Sequence, residues 1–282
     1  MCIYMGKHKL DMISKNKSKK QMRTKKLSKK NKYGIVNVPL SRKLSKGSRA
    51  SLGQINYNYQ KYYNTFAFLE KIIQRNKKLQ KEVCIPDIGE GWMRSILKVH
   101  FFKGIGEVKQ LMDSVKPIDS LNSKQKFITE IDKCMTHRFI PISLEIIVPG
   151  VGTHANVIII DTKKRTIELF EPHGNRGAKS ELESISQAYH KVSKNVQRFF
   201  TKYLPDFTYI PPSKYEPKHG LQARLDAFSG LCVTWSILYL HYRILNPDVP
   251  PKKLITYLDK QITRNVLLRY TKYVEDVLKD KI

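Results

Sequence analysis

Beyond residue 50 the apolar positions first follow a helical rhythm, then a strand rhythm, then a helical one again. Within residues 57–83, Tyr63, Phe66, Phe68, Leu69, Ile72 and Ile73 form one stripe, which predicts a helix. A loop at 86–91 precedes a second predicted helix over 92–102. Asn122-Ser123 can cap a third, running to about residue 137, with Phe127, Ile128, Ile131 and Met135 on one side. The period then changes. Residues 139–148 and 154–161 are β-branched runs separated at Pro149-Gly150, and 166–170 reads as a third strand. A long amphipathic helix follows over 178–203, stopped by Pro205, and a short strand over 207–210. Residues 233–245 are apolar almost all round, as a helix buried in mid-domain would be. Helices over 251–281 end the chain. Strands clustered between helices give an α+β fold class, with no internal repeat.

Charge divides the chain differently. Its 282 residues are 41% hydrophobic, enough for one large core or for a core plus an appendage, and its net charge is +28. Residues 1–50 hold 16 of the 52 Lys and Arg and a single acid, Asp11, in a low-complexity Lys/Ser/Asn text. They read as a basic disordered tail. That leaves 51–282 as the folded domain, with 51–90 as a helical lead-in and 251–282 as C-terminal helices. Such a tail favours a polyanion, nucleic acid among others, and equally fits a solvated segment without a dedicated partner. The four cysteines are scattered with no C-x-x-C and no paired histidines, which argues against zinc. No metal or cofactor is expected. Neither an apolar leader nor an 18-residue apolar run is present, so the expectation is an intracellular, reducing setting where a lone thiol stays free.

Candidate chemistry begins at Cys232. The run Ser229-Gly230-Leu231-Cys232-Val233-Thr234-Trp235 reads as a small-residue turn opening the apolar helix. A cysteine in a first helical turn meets free N–H groups and the positive end of the dipole, which favour a thiolate. Taken alone, it fits a small core residue as well. Residues 154–171 supply the rest. If the turn lies near 162–165, antiparallel pairing puts His154 roughly opposite Glu171, where a carboxylate can fix the imidazole tautomer. By themselves these two could merely end two strands. Gln222, ten residues before Cys232, could donate to an oxyanion or be an ordinary loop residue. Asn156 is a substitute orienter. His173, between Pro172 and Gly174, suits a tight turn better than a base. Trp92 could line a groove, though a core role fits it better, and Cys84 and Cys134 lack a helix start and an upstream histidine.

Taken in order, His154, Glu171, Gln222 and Cys232 resemble the set of the cysteine proteases that include the SUMO-deconjugating enzymes and the adenovirus maturation protease. The spacing of 17 from histidine to acid matches, as does the hairpin text with an aromatic, Phe170, before the acid. Phe170-Glu171-Pro172-His173-Gly174 and the run from Gly230 to Ser236 are similar to versions encoded by large cytoplasmic DNA viruses. The resemblance covers roughly residues 90–250. It departs at Ala155, where the family often has Trp, at Leu231 and Val233, where many members have Asp and Gly, and at Gln222, a few residues further upstream than usual. It implies a papain-like, adenovirus-protease-like α+β fold, with a central mixed sheet and a buried nucleophile helix. It further implies a thiol protease hydrolysing peptide or isopeptide bonds of a protein substrate, either viral structural proteins or ubiquitin-like conjugates, in the virion or host cytoplasm. Cys232 would attack, His154 carry the proton, Glu171 orient His154, and Gln222 with the Cys232 amide hold the oxyanion. Two other readings stay open: an acyltransferase using the same residues, and a non-catalytic nucleic-acid-binding virion protein acting through its basic tail.

Overall fold

The structure, a computed structural model, describes residues 33–41, 65–88, 96–100, 121–148, 152–174, 183–226 and 231–279. Helices α1 (Thr65–Gln74) and α2 (Lys77–Glu82) lead into β1 (Ile96–His100) and α3 (Leu121–Cys134). Strands β2 (Phe139–Val148), β3 (Gly152–Asp161) and β4 (Thr166–Phe170) follow. Then come α4 (Glu183–Tyr203), β5 (Thr208–Ile210), the short α5 (Leu221–Asp226), α6 (Cys232–Leu245), α7 (Pro251–Gln261) and α8 (Arg264–Leu278).

The five strands form one mixed sheet in the order β1-β2-β3-β4-β5. The central pairs are antiparallel and the outer two parallel. Alternation along the strands loads both faces. Val157, Ile159 and Phe170 pack toward α6, α7, α8 and α1. Ile158, Ile160, Ile142 and Leu144 pack toward Phe127 and Ile131 of α3 and toward Val192, Val196 and Phe200 of α4. The α+β class with a buried mid-domain helix is therefore the observed one. Nearly every residue of α6 is buried, including Arg243, which the apolar pattern leaves out.

Four expectations change. Residues 96–100 form a strand, not a helix, because they pair in parallel with Ser143–Ile147 of β2; that partner lies over 40 positions downstream, beyond the reach of a local pattern. The helix expected over 57–83 is broken within its described part. Asn76 leaves the helical conformation at φ −133° and its side chain caps α2 through the N–H groups of Lys78 and Leu79. Residues 33–41, expected within the basic disordered tail, are packed against the domain. Ile35 and Val38 are buried, Asn246 exchanges hydrogen bonds with both backbone groups of Val36 (2.7 and 2.9 Å), and Ser41 pairs with Arg269. Residues 1–32 and 42–64 lie outside the described residues. Finally, Cys84 and Cys134 are joined as a disulfide, and Cys232 is the cysteine outside any disulfide among the described residues.

Candidate active site

The β3–β4 hairpin sets the first half of the site. Its turn occupies residues 162–165, with Arg165 at φ 53°, and Asp161 pairs with Thr166. Counting back from that closure, Val157 faces Phe170, so the next step sets Asn156, not His154, across from Glu171. Here the expected register is two residues off. Side chains two apart on a strand share a face, so both reach the same carboxylate. His154 Nε2 lies 2.7 Å from Glu171 Oε1, and Asn156 Nδ2 donates to Glu171 Oε2 at 2.5 Å. Oε1 also accepts the His173 N–H at 2.9 Å. All three side chains are buried.

The second half is α6. Cys232 is its first residue, with Leu231 as N-cap. The first backbone bond into this helix runs from the Trp235 N–H to the Leu231 carbonyl, which leaves the N–H groups of the opening turn outside the helical ladder. Two contacts seat α6 on the hairpin: Ser236 Oγ donates to the Ala155 carbonyl at 3.2 Å, and Tyr239 stacks on Phe170 with ring centres 4.2 Å apart. The Cys232 thiol hydrogen-bonds the His154 ring and also meets backbone groups of Ala155 and Val233. With Nε2 on Glu171, Nδ1 is the ring nitrogen left for the thiol. Ser229 and Gly230 lie outside the described residues, as does Trp92.

Burial alone would disfavour a charge on each member of this chain of contacts. It is outweighed at His154, where the Glu171 carboxylate and the Cys232 contact hold the ring up at about 10. Burial pushes the Cys232 thiol up, but the His154 hydrogen bond and charge bring it below its ordinary value. Glu171 is likewise lowered despite burial, chiefly by His154. The two directions both favour a thiolate–imidazolium pair, with a carboxylate behind it. His173 is the opposite case. Its ring packs edge-on against His154 at 4.9 Å, and burial together with the His154 charge presses it down to about 4. It is a neutral ring beside His154.

Gln222 sits in α5, buried, with no hydrogen-bond partner for its Oε1 among the described residues. Its backbone N–H donates to the Pro172 carbonyl at 2.9 Å, and the Gly220 N–H donates to the His173 carbonyl at 2.8 Å. These bonds bring the start of α5 against the loop leaving Glu171. Only glycines permit the approach: a Cβ on Gly174, whose φ is +83°, would stand 2.2 Å from the Gly220 nitrogen, and the converse holds for Gly220. Gln222 is thus tied to the Glu171 corner. Glu216 is a participant the sequence left unmarked. Its Oε1 accepts the Glu171 N–H at 2.9 Å, and burial pushes its carboxyl well above the usual range. Asn156 could have been marked more firmly, since it follows His154 at the strand period.

No protein-family model matches the chain. Among curated proteins it is 26% identical over 191 residues to "Putative ankyrin repeat protein L371" of Acanthamoeba polyphaga mimivirus, a match taking in 61% of this chain. The chain spans about a quarter of the length of that relative, 24%. Among solved structures it is similar to the Chlamydia trachomatis effector ChlaDUB1 (TM-score 0.36, 14% identity, 57% of this chain and 62% of that one). It is also similar to the SUMO protease Ulp1 (TM-score 0.34, 14% identity, 56% and 63%). The Legionella pneumophila effector RavZ gives TM-score 0.35 at 14% identity, over 66% and 53%.

Proposed function

We propose that this chain is a thiol protease, a cysteine endopeptidase that hydrolyses peptide or isopeptide bonds in protein substrates. One observation carries the reading: His154 is held between the Glu171 carboxylate and the Cys232 thiol, with the charge balance driven toward thiolate and imidazolium. A thiolate at the start of a buried helix, paired with an oriented acid, is a nucleophile with its proton carrier in place.

The steps follow from that geometry. Cys232 Sγ adds to the substrate carbonyl carbon, and the carbonyl electrons move onto oxygen. The N–H groups opening α6 can hold this oxyanion, with the Gln222 amide as the second donor. Collapse expels the amine, which takes its proton from His154. Water then gives a proton back to His154 while its oxygen attacks the thioester, releasing the acid and the thiol. Glu171 keeps one ring nitrogen occupied throughout, so the other always faces the sulfur. The protein substrate is either a structural precursor of a virus particle or a ubiquitin-like conjugate.

The test is cleavage by the full chain of a quenched fluorogenic peptide library and of ubiquitin-like conjugates. Replacing Cys232 by Ala should lower turnover by at least about 10³-fold, as loss of a nucleophile does elsewhere. Cleavage retained by Cys232→Ala would sink the reading.

A further inference from the structure

The edge that β5 gives to β4 stops short of the site. Their parallel register runs from Thr166 and Thr208 to Glu168 and Ile210. Pro211 and Pro212 come next, and neither has an N–H with which to continue the ladder. Glu171, whose carboxylate meets His154, lies beyond that last rung. Side chains of the following turn take over there. The Tyr215 hydroxyl donates to the Leu169 carbonyl at 2.7 Å. Glu216 Oε1 then accepts the Glu171 N–H at 2.9 Å. Backbone bonds from the Tyr215 and Glu216 N–H groups to the Pro212 carbonyl, at 3.1 and 2.8 Å, hold the turn that presents both side chains. Glu216 and Glu171 are both buried, so little water is at hand to replace a lost bond.

The backbone that Glu216 grips belongs to the residue with the tightest demands in the site. The Glu171 carboxylate must meet His154 Nε2 at 2.7 Å and Asn156 Nδ2 at the same time. A carboxylate held by two donors tolerates little movement of its own backbone. We propose that Glu216 is a positioning residue: by fixing the Glu171 backbone it sets the Glu171–His154 bond and so keeps the ring aimed at Cys232. For its effect on turnover the proposal rests on the thiol-protease reading. The His154–Cys232 contact itself can be followed without a substrate. The titratable groups acting on Glu216 are Glu171 and the phenols of Tyr209, Tyr215 and Tyr239. Burial works against a charge on Glu216. A variant that keeps the accepting oxygen and drops the carboxyl therefore separates the hydrogen bond from the titration.

The test is the pH at which iodoacetamide labelling of Cys232 sets in, measured on the folded fraction of the full chain, with peptide turnover beside it. In the wild type this onset is low because His154 lowers the thiol. Glu216→Leu removes the acceptor. The onset should then rise by about one pH unit, the counterpart of a tenfold change in the pair. The turnover number should fall by about 10- to 10²-fold, as when a group near the chemistry is misplaced, with KM unchanged. Glu216→Asp, which only draws the oxygen back, should shift the onset the same way by less. Glu216→Gln keeps an accepting oxygen and should return onset and turnover to within about twofold of the wild type. Tyr215→Phe removes the neighbouring bond to Leu169. It should lower the urea midpoint yet leave the onset where it was. A wild-type onset in both Glu216→Leu and Glu216→Asp would overturn the assignment. So would an unrestored onset in Glu216→Gln, or an equal shift in Tyr215→Phe, since either makes the role one of charge or general packing. Absence of any cleavage by the wild type, with the onset shifts as expected, would sink the protease reading and uphold this one.

Discussion

Two buried carboxylates, three residues apart on one strand and its exit, have opposite uses. Glu168 in β4 meets Arg243 of α6 in a two-pronged bridge of 2.9 and 2.6 Å, with Tyr239 adding a third bond at 3.3 Å. Glu171 meets His154 and Asn156. Both are almost fully buried, at 1% and 3% exposure, so burial does not distinguish them. Their partners do. A guanidinium keeps its proton at every accessible pH, so the Glu168 pair can only hold α6 onto the sheet. An imidazole can give its proton up and take it back, so the Glu171 pair can work. A buried charge pair becomes a candidate site when one member can exchange a proton with a third group, here the thiol.

The comparison breaks most sharply at Glu168. Glu168→Gln leaves Arg243 buried beside a neutral side chain and should cost about 3–5 kcal/mol of stability. A urea unfolding series checks this. The fraction that remains folded should still alkylate at Cys232 as fast as the wild type. Intact stability with a slow thiol would mean that Glu168 belongs to the site, and the contrast would fail.

Next in size is Glu171→Gln, which should lower turnover by about 10²- to 10⁴-fold, with a smaller loss of stability than Glu168→Gln. The pH profile of iodoacetamide labelling shows why. In the wild type the reactive pair exists above the lowered Cys232 value and below about 10, where His154 releases its proton. Removing the carboxylate takes away the largest support of the imidazolium, so the upper limit falls. With less positive charge beside it, the thiol titrates higher, so the lower limit rises. The window narrows from both sides. A profile identical to that of the wild type would show that Glu171 does not orient His154.

The hairpin was legible in the chain because its information is local: β-branched alternation over 139–148, 154–161 and 166–170, and a polar turn at 162–165. Even the two-residue shift that puts Asn156 opposite Glu171 follows from counting once the turn is fixed. The cysteine at a helix start was legible for the same reason. What stayed hidden depends on distant partners. β1 takes its hydrogen bonds from β2, the buried Arg243 charge is met by Glu168, 75 residues away, and Ile35 joins the core cluster that holds residues of α6 to α8. Glu216 looks like any loop acid until the fold sets it under the Glu171 N–H.

Asn156 makes the finest cut. It donates to the Glu171 oxygen that His154 does not use, so it fixes the rotation of the carboxylate and leaves the His154 bond untouched. Asn156→Ala should therefore cost less than Glu171→Gln, about tenfold in turnover, in line with losing one hydrogen bond to a charged group. The carboxylate also becomes harder to ionise without that donor, so the labelling window should narrow in the same sense as for Glu171→Gln but by less. KM should hold, because Asn156 faces Glu171 and not the thiol. A loss as large as that of Glu171→Gln, or one confined to KM, would place Asn156 against the substrate instead, and the division between the two carboxylates would then have to include a second residue that touches the reacting atoms.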